Sequence, residues 1–321
     1  MIDQKNSEIV TFRNAQIRRF EAEVLQKIEA LTKKEFTKVE KIEDATIMEF
    51  SANNNRVTGI GLFKRGLSTL PESIGNLQSL QRLNLEINKF TTLPESVCNL
   101  QSLTYLNLFL NKLSTLPESV GNLKSLKELY LFNNKLSTLP ESIRQLKSLQ
   151  TLSLGRNKFT TLPESISELK SLTYLELGQN KITTLPESIG QLSSLETLYL
   201  DMNRLTTLPE SIGNLQSLQR LELDFNKLTT LPESIGQLSS LQILALDHNQ
   251  LSTLPESIGN LQSLQSLELQ ENELKTLPES IGNLSSLTEL GLYNNKLSTL
   301  PESIKKIEQR GVNITVKSYK K

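Results

Sequence analysis

Asp201, Asp224 and Asp247 recur at intervals of 23 residues, and Glu176, Glu222 and Glu268 at intervals of 46. Carboxylates at fixed spacing repel one another and can take a cation or a basic partner. Calcium is disfavoured, because no loop with the turn glycine of a calcium site is present. Nucleophilic and metal chemistry have little to draw on. His248 and Cys98 are the only histidine and the only cysteine, and one of each makes neither a zinc site nor an oriented nucleophile–base pair. His248 stands in a variable outward position and reads as a surface or binding-face residue. Cys98 replaces the glycine of a recurring IGNL and reads as a small structural residue. The segment GNLQSL lacks the second glycine and the lysine of a phosphate-binding loop. A glutamate follows each of the 11 prolines, in PES. Every copy is alike, so this row reads as a solvated ladder and not as a catalytic pair. No catalytic residue, metal or cofactor is expected.

The elements that carry these residues follow from one period. All 11 prolines, from Pro71 to Pro301, stand 23 residues apart in LPES. The unit reads L-x-x-L-x-L-x-x-N-x-(L/F/I)-x-x-L-P-E-S-(I/V)-x-x-L-x-S. Full copies start at Leu80 and run to Leu287, and a degenerate copy starts at Val57 with Arg65 in the asparagine position. Leu83 and Leu85, two apart, face one side of a short strand. Ile74, Leu77 and Leu80, three apart, suit a helical or 3-10 turn on the opposite wall. The asparagine, as at Asn88 and Asn134, ends the strand and can satisfy turn backbone groups that stacking would bury unpaired. One unit cannot bury its own leucines, but stacked units can.

On these residues, LQRLNLEINKFTTLPESVCNLQS and its copies, the chain resembles a leucine-rich repeat protein. Its 23-residue LPESIGNL form is similar to the repeats of Ras-suppressor and Scribble-like scaffolds and of Roco-type GTPase arms. The resemblance covers roughly residues 57–308. It implies an α/β solenoid, a horseshoe with a concave parallel β-sheet of about 12 strands and short helical or 3-10 turns on the convex side. Residues 1–56 are expected to form a helix-plus-hairpin cap, 57–308 the solenoid of about 11 repeats, and 309–321 a capping strand and basic tail. The helix is placed by the stripe Ile17, Phe20, Val24, Ile28 and Leu31, and the hairpin by TIMEFSANNNRVTGIGL. The final strand is VNITV, one residue late in the repeat, followed by KSYKK.

The third, fifth and seventh positions of L-x-x-L-x-L-x-x-N point out of the core. Tyr105, Tyr130, Tyr174, Tyr199 and Tyr293 fall there, five of the 6 tyrosines, together with Phe63, Phe109 and Phe132. Aromatic residues suit strands in general, but their concentration in outward slots marks a binding surface. The acidic strip of Glu176, Asp201, Glu222, Asp224, Asp247 and Glu268 shares that face further along, with Arg220 beside it. Lys and Arg equal Asp and Glu, 35 against 35, so no net field favours nucleic acid or an anionic membrane.

A lone cysteine forms no internal disulfide and fits a reducing compartment. The opening MIDQKNSEIV lacks the pattern of a signal peptide, and no apolar run nears the roughly 18 residues of a membrane span. The sequence therefore predicts a cytoplasmic, monomeric, non-enzymatic protein-binding scaffold, for which the resemblance implies a small GTPase or signalling enzyme as a partner. Recognition of a glycan by a surface or secreted protein, and self-association, stay open as alternatives.

Overall fold

Stacking is obligatory for a unit this short, and the observed architecture is repeated stacking. The computed structural model describes residues 8–44 and 46–316, in two compact units, Met1–Asn157 and Lys158–Lys321. The expected tail KSYKK, residues 317–321, lies outside the described residues.

The first unit opens with an antiparallel hairpin, β1 (Ile9–Phe12) and β2 (Ala15–Arg18), that runs directly into helix α1 (Arg19–Thr32). β3 (Thr37–Val39) pairs in parallel with β4 (Ile47–Asn53), and β4 pairs antiparallel with β5 (Arg56–Leu62). Asn54 and Asn55 connect them with φ of 48° and 60°, the left-handed pair that a two-residue hairpin turn requires. Three-residue strands β6 (Arg82–Asn84), β7 (Tyr105–Asn107), β8 (Glu128–Tyr130) and β9 (Thr151–Ser153) follow, each parallel to the last. The second unit repeats this with β10 (Tyr174–Glu176), β11 (Thr197–Tyr199), β12 (Arg220–Glu222), β13 (Ile243–Ala245), β14 (Ser266–Glu268) and β15 (Glu289–Gly291). Helix α2 (Ile304–Gln309) and β16 (Asn313–Thr315) end it. The last rung is one residue late, as the sequence predicts: Glu289 faces Asn313, whereas Ser266 faces Glu289.

The LPES segments from Pro71 to Pro278 each lead into a five-residue 3-10 turn, such as Glu72–Asn76 and Glu164–Glu168, on the wall opposite the strands, and the last, at Pro301, leads into α2. The PES glutamates are more than a solvated ladder. Glu118 accepts the backbone N–H of Ser142 at 3.1 Å, and Glu279 that of Ser303 at 3.1 Å, so a carboxylate of one repeat caps the turn of the next. The Ser303 N–H holds the Glu279 carboxyl below its usual range. The asparagines do what their position predicts. Asn88 accepts the backbone N–H of Arg65 and Leu67 at 3.1 and 2.9 Å and donates to the carbonyls of Leu62 and Leu85 at 2.8 and 2.9 Å.

The cap departs from expectation in four places. β1, β2 and β3 are unforeseen strands. Ile17 is buried on β2 and not on the helix, and Leu31 is 49% exposed, so the helix buries Ala22, Val24, Leu25 and Ile28. Glu21, fully buried on the same helix, bonds Arg56 at 2.7 Å and the Val57 N–H at 2.8 Å. Finally, the segment between β3 and β4 does not merely close the sheet edge. It lies over the outward face of the first repeats, where Arg82 Nε donates to the Ile42 carbonyl at 3.1 Å. Gly59 and Gly61 occupy outward slots there because nothing larger fits: a Cβ on Gly59 would sit 2.6 Å from Ile42 Cγ1, and one on Gly61 2.7 Å from Thr46 Cβ.

Candidate functional site

The outward slots of the first unit hold an aromatic surface with one end covered. Phe109 and Phe132 are half-buried, and their rings stack with centroids 5.4 Å apart at 24°. Tyr105 and Tyr130 meet at 5.5 Å and 50°. Tyr105 is not the exposed ring that strand alternation suggests. It is 4% exposed, its hydroxyl donates to Asp44 Oδ1 at 2.6 Å, and the Arg82 guanidinium lies 3.7 Å from its ring centroid. The overlying segment takes Tyr105 out of the available surface, a long-range contact that alternation cannot show. Burial, and then the Asp44 carboxylate, push its hydroxyl well above the usual tyrosine range. Tyr130, half-buried, donates to Glu128 at 2.9 Å. Phe63 is half-buried in the first repeat, and its backbone N–H donates to the Thr46 carbonyl at 3.1 Å.

In the second unit the strand register sets the glutamates of the acidic strip in one row with Tyr199 and Ala245. Glu176 faces Tyr199, Tyr199 faces Glu222, Glu222 faces Ala245, and Ala245 faces Glu268. Tyr174 and Tyr199 rings lie 5.6 Å apart. Burial, then Glu176, raise the Tyr174 hydroxyl to about 12. Arg220 pairs with Glu222 and neutralises part of the strip from within. Partial burial raises Asp201, Glu222, Asp247 and Glu268 above their usual range. Asp224, between Asp247 and Asp201, goes furthest, to about 7, through burial first and then those two charges. Asp201 leans over Gly178, whose missing side chain leaves it room.

That shift has a sign. A carboxyl raised from 3.8 to about 7 binds its proton more tightly folded than unfolded, so the folded state loses stability as pH rises across that window. Asp224→Asn removes the penalty. It is expected to raise the melting temperature by roughly 1–3 °C at pH 8, with the gain shrinking as pH falls and vanishing below 3.8. Thermal melts at pH 4, 6 and 8 check this, and a gain independent of pH would refute it.

One further row of residues stands beside the outward slots. The residue after each seventh slot has a left-handed backbone without being glycine: Ile87 (φ 52°), Leu110 (53°), Met202 (51°), Phe225 (52°) and His248 (52°) among them. This conformation extends the strand ladder, since the N–H of Met202 reaches the Asp224 carbonyl at 2.9 Å and that of Phe225 the Asp247 carbonyl at 3.0 Å. His248 stacks on Phe225, centroids 4.1 Å apart at 15°. The signal in the sequence is an apolar residue in a slot that elsewhere holds Asn133, Arg156, Gln179, Glu271 or Asn294. Cys98 is buried as a structural residue, and burial pushes its thiol up to about 11. Among the described residues no cluster of three or more metal-ligating side chains occurs, and no helix is long and apolar enough to cross a membrane.

The family profile of the leucine-rich repeat region matches residues 59–138, 129–203, 168–250 and 197–269, and a second leucine-rich repeat profile matches 263–284 and 286–307. The chain belongs to the leucine-rich repeat family. It is 38% identical to a leucine-rich repeat protein of Leptospira interrogans, over 78% of this chain and 76% of that one, with a TM-score of 0.58. The Arabidopsis receptor kinase HAESA, solved with the peptide hormone IDA and a co-receptor, is 31% identical over 80% of this chain and 46% of its own, with a TM-score of 0.67. A TDR receptor is 31% identical over 81% and 47%, with a TM-score of 0.72. The chain thus spans about half the length of these receptors. No curated protein sequence matches it. Each unit is a leucine-rich repeat solenoid, with strands on one wall and 3-10 turns on the other.

Proposed function

We propose that this protein is a non-enzymatic binding scaffold that holds a protein segment on the outward face of its repeat sheets. The observation that carries this is the stacked pair Phe109 and Phe132, kept half-exposed in outward slots of adjacent repeats. Clustered aromatics at a surface leave a solvation cost that partner burial recovers, and such clusters act as interface hot spots. The receptor HAESA, solved with a peptide hormone, supports a peptide or protein as the ligand class. The LPESIGNL repeat, in its similarity to Ras-suppressor and Roco-type arms, makes a small GTPase or signalling enzyme the first partner to test. A cytoplasmic setting fits the free thiol of Cys98.

The test compares wild type with Phe109→Ala/Phe132→Ala in affinity capture from native lysate, read by mass spectrometry. The pair is expected to change stability by only about 1 kcal/mol and to weaken retention of at least one protein roughly tenfold, about 1.4 kcal/mol. Identical capture by both forms would reject the scaffold surface. Binding to a glycan array that the pair abolishes would instead assign a sugar ligand.

A further inference from the structure

Among the described residues, the exposed large hydrophobic side chains are Ile9, Leu31, Ile47, Met202, Phe225 and Val316. Four belong to the terminal elements. The remaining two, Met202 at 48% and Phe225 at 43% exposed, stand in the same slot of successive repeats, and His248 continues the row by stacking on Phe225. Their backbone makes the choice of side chain still less favourable for folding alone. A left-handed φ near 50° suits Asn or Gly, and Asn133 and Asn294 take that slot elsewhere. A methionine and a phenylalanine in this conformation, facing water, are a double cost that folding does not explain.

Immediately before each of the three comes an aspartate: Asp201, Asp224 and Asp247. His248 lies 3.9 Å from Asp247, and Arg220 is already engaged by Glu222 on the fifth-slot row. An apolar row therefore runs beside a row of carboxylates, both along the stacking direction.

We propose that these two rows form a docking surface for an extended protein segment in which apolar side chains alternate with arginine or lysine. The inference rests on the scaffold reading and names the partner chemistry of the second unit. Side chains of an extended segment alternate sides, so a strand laid between the two rows presents one set to Met202 and Phe225 and the other to the aspartates. Three rungs at ~4.8 Å span roughly 10 Å, the reach of about three extended residues. Charge complementarity fixes which side faces which row and makes the contact sensitive to salt. Arginine suits the aspartates best, because its planar fork bonds carboxylates in pairs.

Fluorescence anisotropy with three labelled peptides tests this on the full chain: alternating Leu-Arg, alternating Leu-Glu and alternating Ser-Arg. Leu-Arg is expected to bind, with affinity falling as salt rises, and the other two at least tenfold more weakly. Phe225→Asn is the decisive variant. Asparagine accepts the left-handed backbone, so the variant should melt at or above the wild-type temperature while Leu-Arg binding drops tenfold or more. Asp224→Asn should weaken Leu-Arg and leave Leu-Glu unimproved. A lower melting temperature for Phe225→Asn would make the row a structural stack and overturn the proposal. So would Leu-Arg binding that Phe225→Asn leaves intact, equal binding of Ser-Arg, or no Leu-Arg binding at all. Phe109→Ala/Phe132→Ala, in the other unit, should leave Leu-Arg binding unchanged. Failure here with lysate capture still lost in that pair would sink this surface and leave the scaffold reading standing.

Discussion

Glu21→Ala is expected to lower the melting temperature by roughly 6–12 °C, the largest single effect in the cap. The carboxylate is fully buried on α1 and both oxygens are used: one bonds Arg56 Nε at 2.7 Å, the other the Val57 N–H at 2.8 Å. Arg56 and Val57 begin the strand that carries the first repeat, so this one side chain fastens the helix to the repeats. Truncation leaves a buried N–H without an acceptor, at about 1–3 kcal/mol, and a guanidinium without its counter-charge. Breaking a buried pair from one side costs about 3–5 kcal/mol. The Arg56 side chain keeps 23% exposure and can recover some hydration, which places the expected loss near the lower bound, about 3 kcal/mol. At roughly 2–4 °C per kcal/mol for a chain of this size, the shift follows. Glu21→Gln keeps an acceptor for Val57 and should cost about half as much. The check is a thermal melt paired with hydrogen exchange at α1, where the loss should concentrate because repeat arrays transmit little over distance. A melting temperature within about 1 °C of wild type, with unchanged exchange in α1, would show that the pair does not hold the cap.

The contrast between the cap and the repeats explains what could be read from the sequence. A unit copied at a fixed period states its constraints many times over. The proline position, the strand leucines, the turn leucines and the asparagine were all legible, as was the late register of β16, because each departure shows against its copies. The cap is written once. A spacing of three and four marks a helix but not where it starts, so the stripe takes in Ile17, which lies on β2. Glu21 was invisible because a buried carboxylate looks like any surface one until its partners at Arg56 and Val57 are known. The same holds for Tyr105. Its slot points outward, and only the segment carrying Ile42 and Asp44, contributed from a distant part of the chain, buries it. A trace of that segment exists in the sequence, in glycines at both 59 and 61, a pair of outward slots that no other repeat fills with two glycines.

The left-handed slot is silent in the sequence for a different reason. Local propensity calls for glycine or asparagine there, but the repeats fill it with Ile87, Leu110, Arg156, Gln179, Met202, Phe225 and Glu271. Stacking decides the conformation, since the N–H must reach the next repeat, and the side chain is then free to serve the surface. Freedom of side chain under a fixed backbone is what lets one frame carry an aromatic surface in the first unit and an acidic and apolar one in the second.

Asn133 and Asn134 are identical neighbours in sequence and should respond in opposite ways to substitution by glycine. Asn134 is 8% exposed and bridges two repeats: its Oδ1 accepts the Leu113 N–H at 2.9 Å, and its Nδ2 donates to the carbonyls of Leu108 and Leu131 at 2.9 and 3.0 Å. Removing that amide strands the Leu113 N–H where the stacked turns exclude water, and leaves the Leu108 and Leu131 carbonyls to Asn111 and Asn157 alone, at 3.1 and 2.9 Å. The orphaned N–H costs about 1–3 kcal/mol and each of the two lost hydrogen bonds about 0.5–1.5 kcal/mol, so with partial rehydration about 2–4 kcal/mol is expected for Asn134→Gly. Asn133 has φ 56° and is half-exposed, and its N–H bonds the Gly155 carbonyl at 2.9 Å, a contact that any residue except proline retains. Glycine adopts that φ at no steric cost, so Asn133→Gly should change stability by less than about 1 kcal/mol. Denaturant titration of both variants decides the matter through the midpoint at constant slope. Equal losses at the two positions would show that the amide bridge across the turns is not what holds successive repeats together, and that leucine packing alone sets their stability.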